Sequence, residues 1–222
     1  MLGYILHLPQ WLLICLVLAI AFSFPLSQEA IFEGIPLAEL TGEINLTLVG
    51  KWTALCGIPL LANGVILERS RQVELFSRMR AKKCRLQLRV VVACVTCVVV
   101  WAACVFIATV WRLGSGKGLP SFQLLLPNLL LWDAIGLVSY AWSQRATWSG
   151  CVSIALISGS CLIGLRFPQW LPYLPSTWGM LSLTIVCDEY GGLPFMSTAS
   201  LILAAVCYFI YIVYEENQNG ND

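Results

Sequence analysis

Asp133 is the residue whose chemistry most needs an explanation. It lies in the apolar run Phe122–Trp142, five residues after Asn128 and six after Pro127. A charge at the centre of a membrane span costs about 3 kcal/mol on insertion scales, so its carboxyl must face a bundle interior or a partner subunit. Asn128 and Asp133 are therefore candidates to line a substrate path. The plain alternative for Asp133 is a protonated or capped carboxyl beside a bent helix. Cys94-Val95-Thr96-Cys97 has the spacing of a redox pair. Such pairs act at a helix N-terminus, where the dipole stabilises a thiolate. This one lies within an apolar run, with Cys104 further along, and packing is the simpler account. Gly114-Ser115-Gly116-Lys117-Gly118 looks like a phosphate loop. It lacks both the Ser or Thr after the lysine and the Gly five positions before the Gly-Lys pair, where Gly118 and Trp111 stand. It reads as a flexible turn. His7 is the single histidine. No metal-ligand set, Ser/His/Asp set or paired carboxylates are expected, and so no metal, bound cofactor or catalytic residue.

The elements that position these residues follow from composition. Of 222 residues, 59% are apolar and 11% charged, where a soluble domain carries about 25% charged residues. With a mean hydropathy of +0.80, the expected fold is an all-α membrane protein. A span needs ~20 residues, so one transmembrane domain over 1–222 holds six spans, at about 8–26, 52–67, 90–111, 122–142, 148–165 and 198–214. The first is read as a retained span and not a cleaved signal peptide, because Lys and Arg are absent before Lys51. Most of the ten cysteines fall in apolar runs, which argues against a disulfide framework.

Loops are placed by charge. The stretch Glu68–Arg89, ERSRQVELFSRMRAKKCRLQLR, carries eight of the thirteen basic residues between two apolar runs. That density fixes it on the cytoplasmic side. Counting then puts both termini in the cytoplasm of a plasma-membrane protein. Within this stretch Val73, Phe76 and Met79 recur at three-residue spacing among Arg71, Arg78 and Arg80, the pattern of a short amphipathic helix. Such a helix lies on anionic lipid or docks a cytosolic protein. Glu68 stands at its start, where a carboxylate suits the helix dipole. The loop Ser27–Gly50 has four glutamates and no basic residue, which suits the outer face. Segment 166–194, rich in Pro, Gly, Trp and Tyr, is too interrupted to span and is expected to form an external re-entrant hairpin.

This arrangement resembles the permease subunit of an ATP-binding cassette transporter of the type 2, exporter-like class. The resemblance rests on the six-span plan, on the long basic loop with Glu68 at the membrane exit, and on Leu171–Met180, LPYLPSTWGM, before the last span. Departures are the ERS at the start of the loop, where the family has glutamate-lysine-glycine, and the near-absence of a helix before span one. The resemblance implies a coupling helix seated on a separate cytosolic ATPase, with Glu68, Arg71, Val73, Phe76, Met79 and Arg80 at the contact. It implies ATP and magnesium on that partner, none on this chain, and a second permease copy or relative in the membrane. Substrates of such exporters are peptides, antibiotics, lipids or drug-like molecules; nucleic acid is not expected. The alternatives are a non-catalytic immunity or assembly protein, or a membrane thiol oxidoreductase using Cys94 and Cys97.

Overall fold

Two prolines show how the chain builds helices in an apolar setting. A proline inside a helix has no N–H, so the carbonyl four residues earlier loses its donor. In the computed structural model, which describes residues 46–77, 83–113, 115–179 and 192–220, both orphaned carbonyls are met from a neighbouring helix. Pro59 frees the carbonyl of Leu55, which accepts the Trp101 indole N–H at 3.0 Å. Pro127 frees the carbonyl of Gln123, which accepts the Ser197 hydroxyl at 2.9 Å. Within a bilayer no water would do this service. The prolines thus fix which helices must be neighbours.

The described residues form five α-helices and no strand: α1 Leu46–Ser77, α2 Lys83–Leu113, α3 Ser115–Ser143, α4 Ala146–Arg166 and α5 Gly192–Gly220. Two 3-10 turns, Pro168–Tyr173 and Pro175–Thr177, follow α4. Helix α3 is central and packs on α5, α2 and α4, while α1 packs on α4 and α2. Four helices contain stretches long and apolar enough to cross a membrane: Gln87–Ile107, Phe122–Ser143, Ala146–Gly164 and Phe195–Glu215. A shorter apolar stretch, Trp52–Glu68, lies in α1. The described residues are thus all-helical, with the character of a multi-pass membrane protein. The expected span 8–26 lies outside the described residues, as do Met79, Arg80 and residues 180–191 of the expected hairpin.

Helix boundaries differ from those expected at two places, for one reason. Hydropathy marks where a helix leaves the apolar layer, not where its backbone hydrogen bonding ends. Helix α1 does not stop at residue 67 but continues through Ser77, since Glu68–Ser77 contains neither Gly nor Pro. The described part of the amphipathic stretch, through Ser77, is therefore the end of α1, in one piece with the apolar run. The flexible turn expected at Gly114–Gly118 is instead helical from Ser115 on: α2 reaches Leu113 and α3 begins at Ser115. Between the expected spans 122–142 and 148–165 the chain turns at Gln144-Arg145. Gln144 adopts φ 55°, its N–H bonds the Tyr140 carbonyl at 2.7 Å, and α3 ends there.

Close helix contacts use small residues, as expected where apolar lipid removes the hydrophobic drive for association. A Cβ on Gly136 of α3 would come within 3.0 Å of the Ser149 hydroxyl oxygen and 3.2 Å of the Ser149 carbonyl oxygen of α4. On the α1–α4 contact, Gly57 faces Ile154 and Gly150 faces Leu60 and Leu61.

Candidate functional site

Helix α3 carries Asp133 at the midpoint of its apolar stretch, 2% exposed. Two neighbouring helices bring donors to its two oxygens. From α1, the Asn63 amide Nδ2 donates to Oδ1 at 2.5 Å. From α5, the Tyr208 hydroxyl donates to Oδ2 at 2.7 Å and lies 3.3 Å from the Leu130 carbonyl. One carboxyl thereby joins three helices that are far apart in sequence. Asn63 is itself 1% exposed, and its Oδ1 has no hydrogen-bond partner. Cys94 of α2, fully buried, lies within electrostatic reach of Asp133. Asn63 and Tyr208 were missed by sequence reasoning. Asn63 offered a weak signal, as an amide in an apolar run with Asp133 in need of a partner. Tyr208 offered none, since tyrosine is ordinary near a span.

Asn128 is buried five residues earlier on α3, but it faces another structure. Its Nδ2 donates to the Pro175 carbonyl at 2.6 Å, while the Trp52 indole of α1 donates to the Ser176 carbonyl at 3.2 Å. Two helices thus pin the second 3-10 turn onto one end of the bundle, and Ser176, Thr177 and Trp178 are buried there. Gly179 passes so close that a Cβ on it would lie 3.0 Å from Asn128 Oδ1. Asn128 and Asp133 are therefore not brought into one site. The first seats an end cap and the second ties the middle of the bundle together.

The remaining candidates separate in the same way. Cys94 and Cys97 are 0% and 5% exposed and belong to the packed cluster around Ile66, Leu67, Leu137 and Tyr211. Neither is in a disulfide. Burial denies them the access that thiol exchange requires. Among the described residues no three metal-ligating side chains come together. Glu68 is exposed on α1 and borders an open groove of about 540 Å³ between α1 and α4. Leu61, Gly64 and Val65 line one wall, Ala146 and Gly150 the other, with Glu68 and Thr147 as its polar groups. Arg71, Val73 and Phe76 lie on the last turns of α1. At the far end of α3, the Gln144 amide donates to Glu215 of α5 at 3.1 Å.

No family model matches this chain, and neither does any curated protein or solved structure.

Proposed function

We propose that this chain is the transmembrane permease subunit of an ATP-driven transporter of the ATP-binding cassette type, exporting a peptide, antibiotic, lipid or drug-like substrate. The observation that carries the reading is the unbroken helix α1. Its 32 residues span about 48 Å at 1.5 Å per residue, against a hydrocarbon layer of ~30 Å. The apolar part and the polar extension from Glu68 to Ser77 therefore move as one rod. A displacement at Arg71, Val73 or Phe76 reaches Asn63 without crossing a joint, and Asn63 holds Asp133 of the central helix.

In this reading six spans cross the plasma membrane, residues 8–26 forming the first, and both termini are cytoplasmic. An external re-entrant hairpin precedes the last span. Glu68, Arg71, Val73, Phe76, Met79 and Arg80 face a separate cytosolic ATPase, which holds ATP and magnesium. A second copy or a related permease completes the pore, and Asn128 and Asp133 border the substrate path. Closure of the ATPase pair pushes the end of α1, and the helices tied at Asp133 shift with it.

The test is a mild-detergent purification of the tagged protein from its native membranes, with partners identified by mass spectrometry. A stoichiometric P-loop ATPase is expected, lost in Val73→Asp/Phe76→Asp while membrane insertion is kept. Recovery without an ATPase would overturn the reading and favour an immunity or assembly protein that binds within the bilayer.

A further inference from the structure

A buried carboxylate needs a positive partner or a proton. Among the described residues, the groups facing Asp133 supply no cation. From α1 there is the Asn63 amide, from α2 the Cys94 thiol, and from α5 the Tyr208 hydroxyl with Cys207 near it. From α4, the side chains that approach this part of α3 are the hydroxyls of Ser149 and Ser153. Arg89, Arg145 and Arg166 are exposed. The open groove between α1 and α4 includes none of Asn63, Asp133 and Tyr208.

The second observation is the Oδ1 of Asn63. It is a buried acceptor without a partner, on the same amide whose Nδ2 bonds the carboxyl. Buried acceptors are rarely left so. A carboxylate only accepts hydrogen bonds, whereas a carboxylic acid has one O–H to donate. The Asn63 amide offers a donor to the first and an acceptor to the second, and half a turn about its terminal bond exchanges them.

We propose that Asp133 and Asn63 form a buried proton-binding site. In the ionised state the Asn63 Nδ2–H donates to the carboxylate. In the protonated state the proton sits on the carboxyl oxygen facing α1, and that O–H donates to Asn63 Oδ1. Tyr208 holds the other oxygen in both states. The proton comes from water and returns to it, and no other bond changes. Because Asn63 belongs to α1 and Asp133 to α3, proton occupancy sets the character of the tie between these helices. The site is independent of any ATPase, so absence of that partner leaves it standing.

The experiment is infrared difference spectroscopy of the purified full chain in lipid nanodiscs, stepped between alkaline and acidic buffer in water and in deuterium oxide. A deuterium-sensitive carboxylic-acid C=O band is expected in the wild type and absent in Asp133→Asn. Its frequency should move in Asn63→Leu, which removes the acceptor, and in Tyr208→Phe, which removes the other partner. These two variants carry the test if Asp133→Asn does not fold. Absence of such a band at every pH where the chain stays helical would overturn the proposal. So would a band unmoved by Asn63→Leu, which would mark an ordinary carboxyl. Thermal stability raised by sodium chloride over choline chloride, and lost in Asp133→Asn, would also overturn it by assigning the site to a metal cation.

Discussion

At the scale of single residues, the Asp133 centre is held by donors on two helices, and their removal should differ in kind. Tyr208→Phe deletes one hydroxyl and leaves Asp133 Oδ2 without that donor. Hydrogen bonds between membrane helices average about 0.6 kcal/mol and reach about 1.7 kcal/mol. Because this acceptor is a carboxyl, a loss near the upper end is expected, read as a lower unfolding midpoint in a detergent titration. Asn63→Leu removes a donor together with an unpartnered acceptor. The change strands Asp133 Oδ1 as Tyr208→Phe strands Oδ2, yet its net loss should be smaller than that of Asn63→Asp, which sets a second carboxyl against the first. Equal losses for these two variants would show that charge at this point is not felt. Asp133 was legible from sequence as a residue that must be answered from inside the bundle. Which residues answer it was not, because Asn63 and Tyr208 are 70 and 75 positions away. That pairing depends on helix rotation, which an apolar run of this uniformity leaves unmarked.

At the scale of elements, the prolines give a test that separates a hydrogen bond from packing. Trp101→Phe strands the Leu55 carbonyl, which Pro59 has already deprived of its helix donor. An unsatisfied buried acceptor costs about 1–3 kcal/mol, and the smaller ring adds a packing loss. In a Pro59→Ala background the backbone N–H of residue 59 can serve that carbonyl. Trp101→Phe should therefore cost at least about 1 kcal/mol less there, a coupling that a double-mutant cycle reads directly. Additive losses would mean that the indole acts by packing alone. Gly136 offers a second test. A Cβ there meets Ser149 at 3.0 and 3.2 Å, and the Ser149 carbonyl is backbone that cannot step aside. Gly136→Leu should force α3 from α4 at a cost of about 1–3 kcal/mol, and Gly136→Ala should cost less. The identity and order of the described helices were legible from hydropathy at this scale. Helix length was not, because α1 and α2 both outrun their apolar segments, as any helix does when no residue stops it.

At the scale of the whole molecule, the distribution of exposure argues for lipid around the bundle. Ile202 and Phe209 on α5 are 64% and 67% exposed, while Asp133, Asn63 and Asn128 are buried. Water as solvent would favour the reverse. Helix direction then fixes which ends share a side. The end of α1 at Ser77, the start of α2 at Lys83 and the turn at Gln144 share one side; the 3-10 turns after α4 are on the other. In the proposed reading, the basic density of Glu68–Arg89 puts the first of these in the cytoplasm. Single cysteines at Ser143 and Gln169, both exposed, test the assignment in a chain whose own cysteines are replaced by serine or alanine. A membrane-impermeant maleimide added to intact cells should label Gln169→Cys, and should reach Ser143→Cys only after the membrane is opened. The reverse pattern would invert the protein and place the end of α1 outside, where no ATPase could meet it. Labelling of both from outside would mean that α4 does not cross the membrane. Orientation thus bears on the proposed function more directly than any single residue does, because in that reading the end of α1 meets a cytosolic ATPase from one side alone.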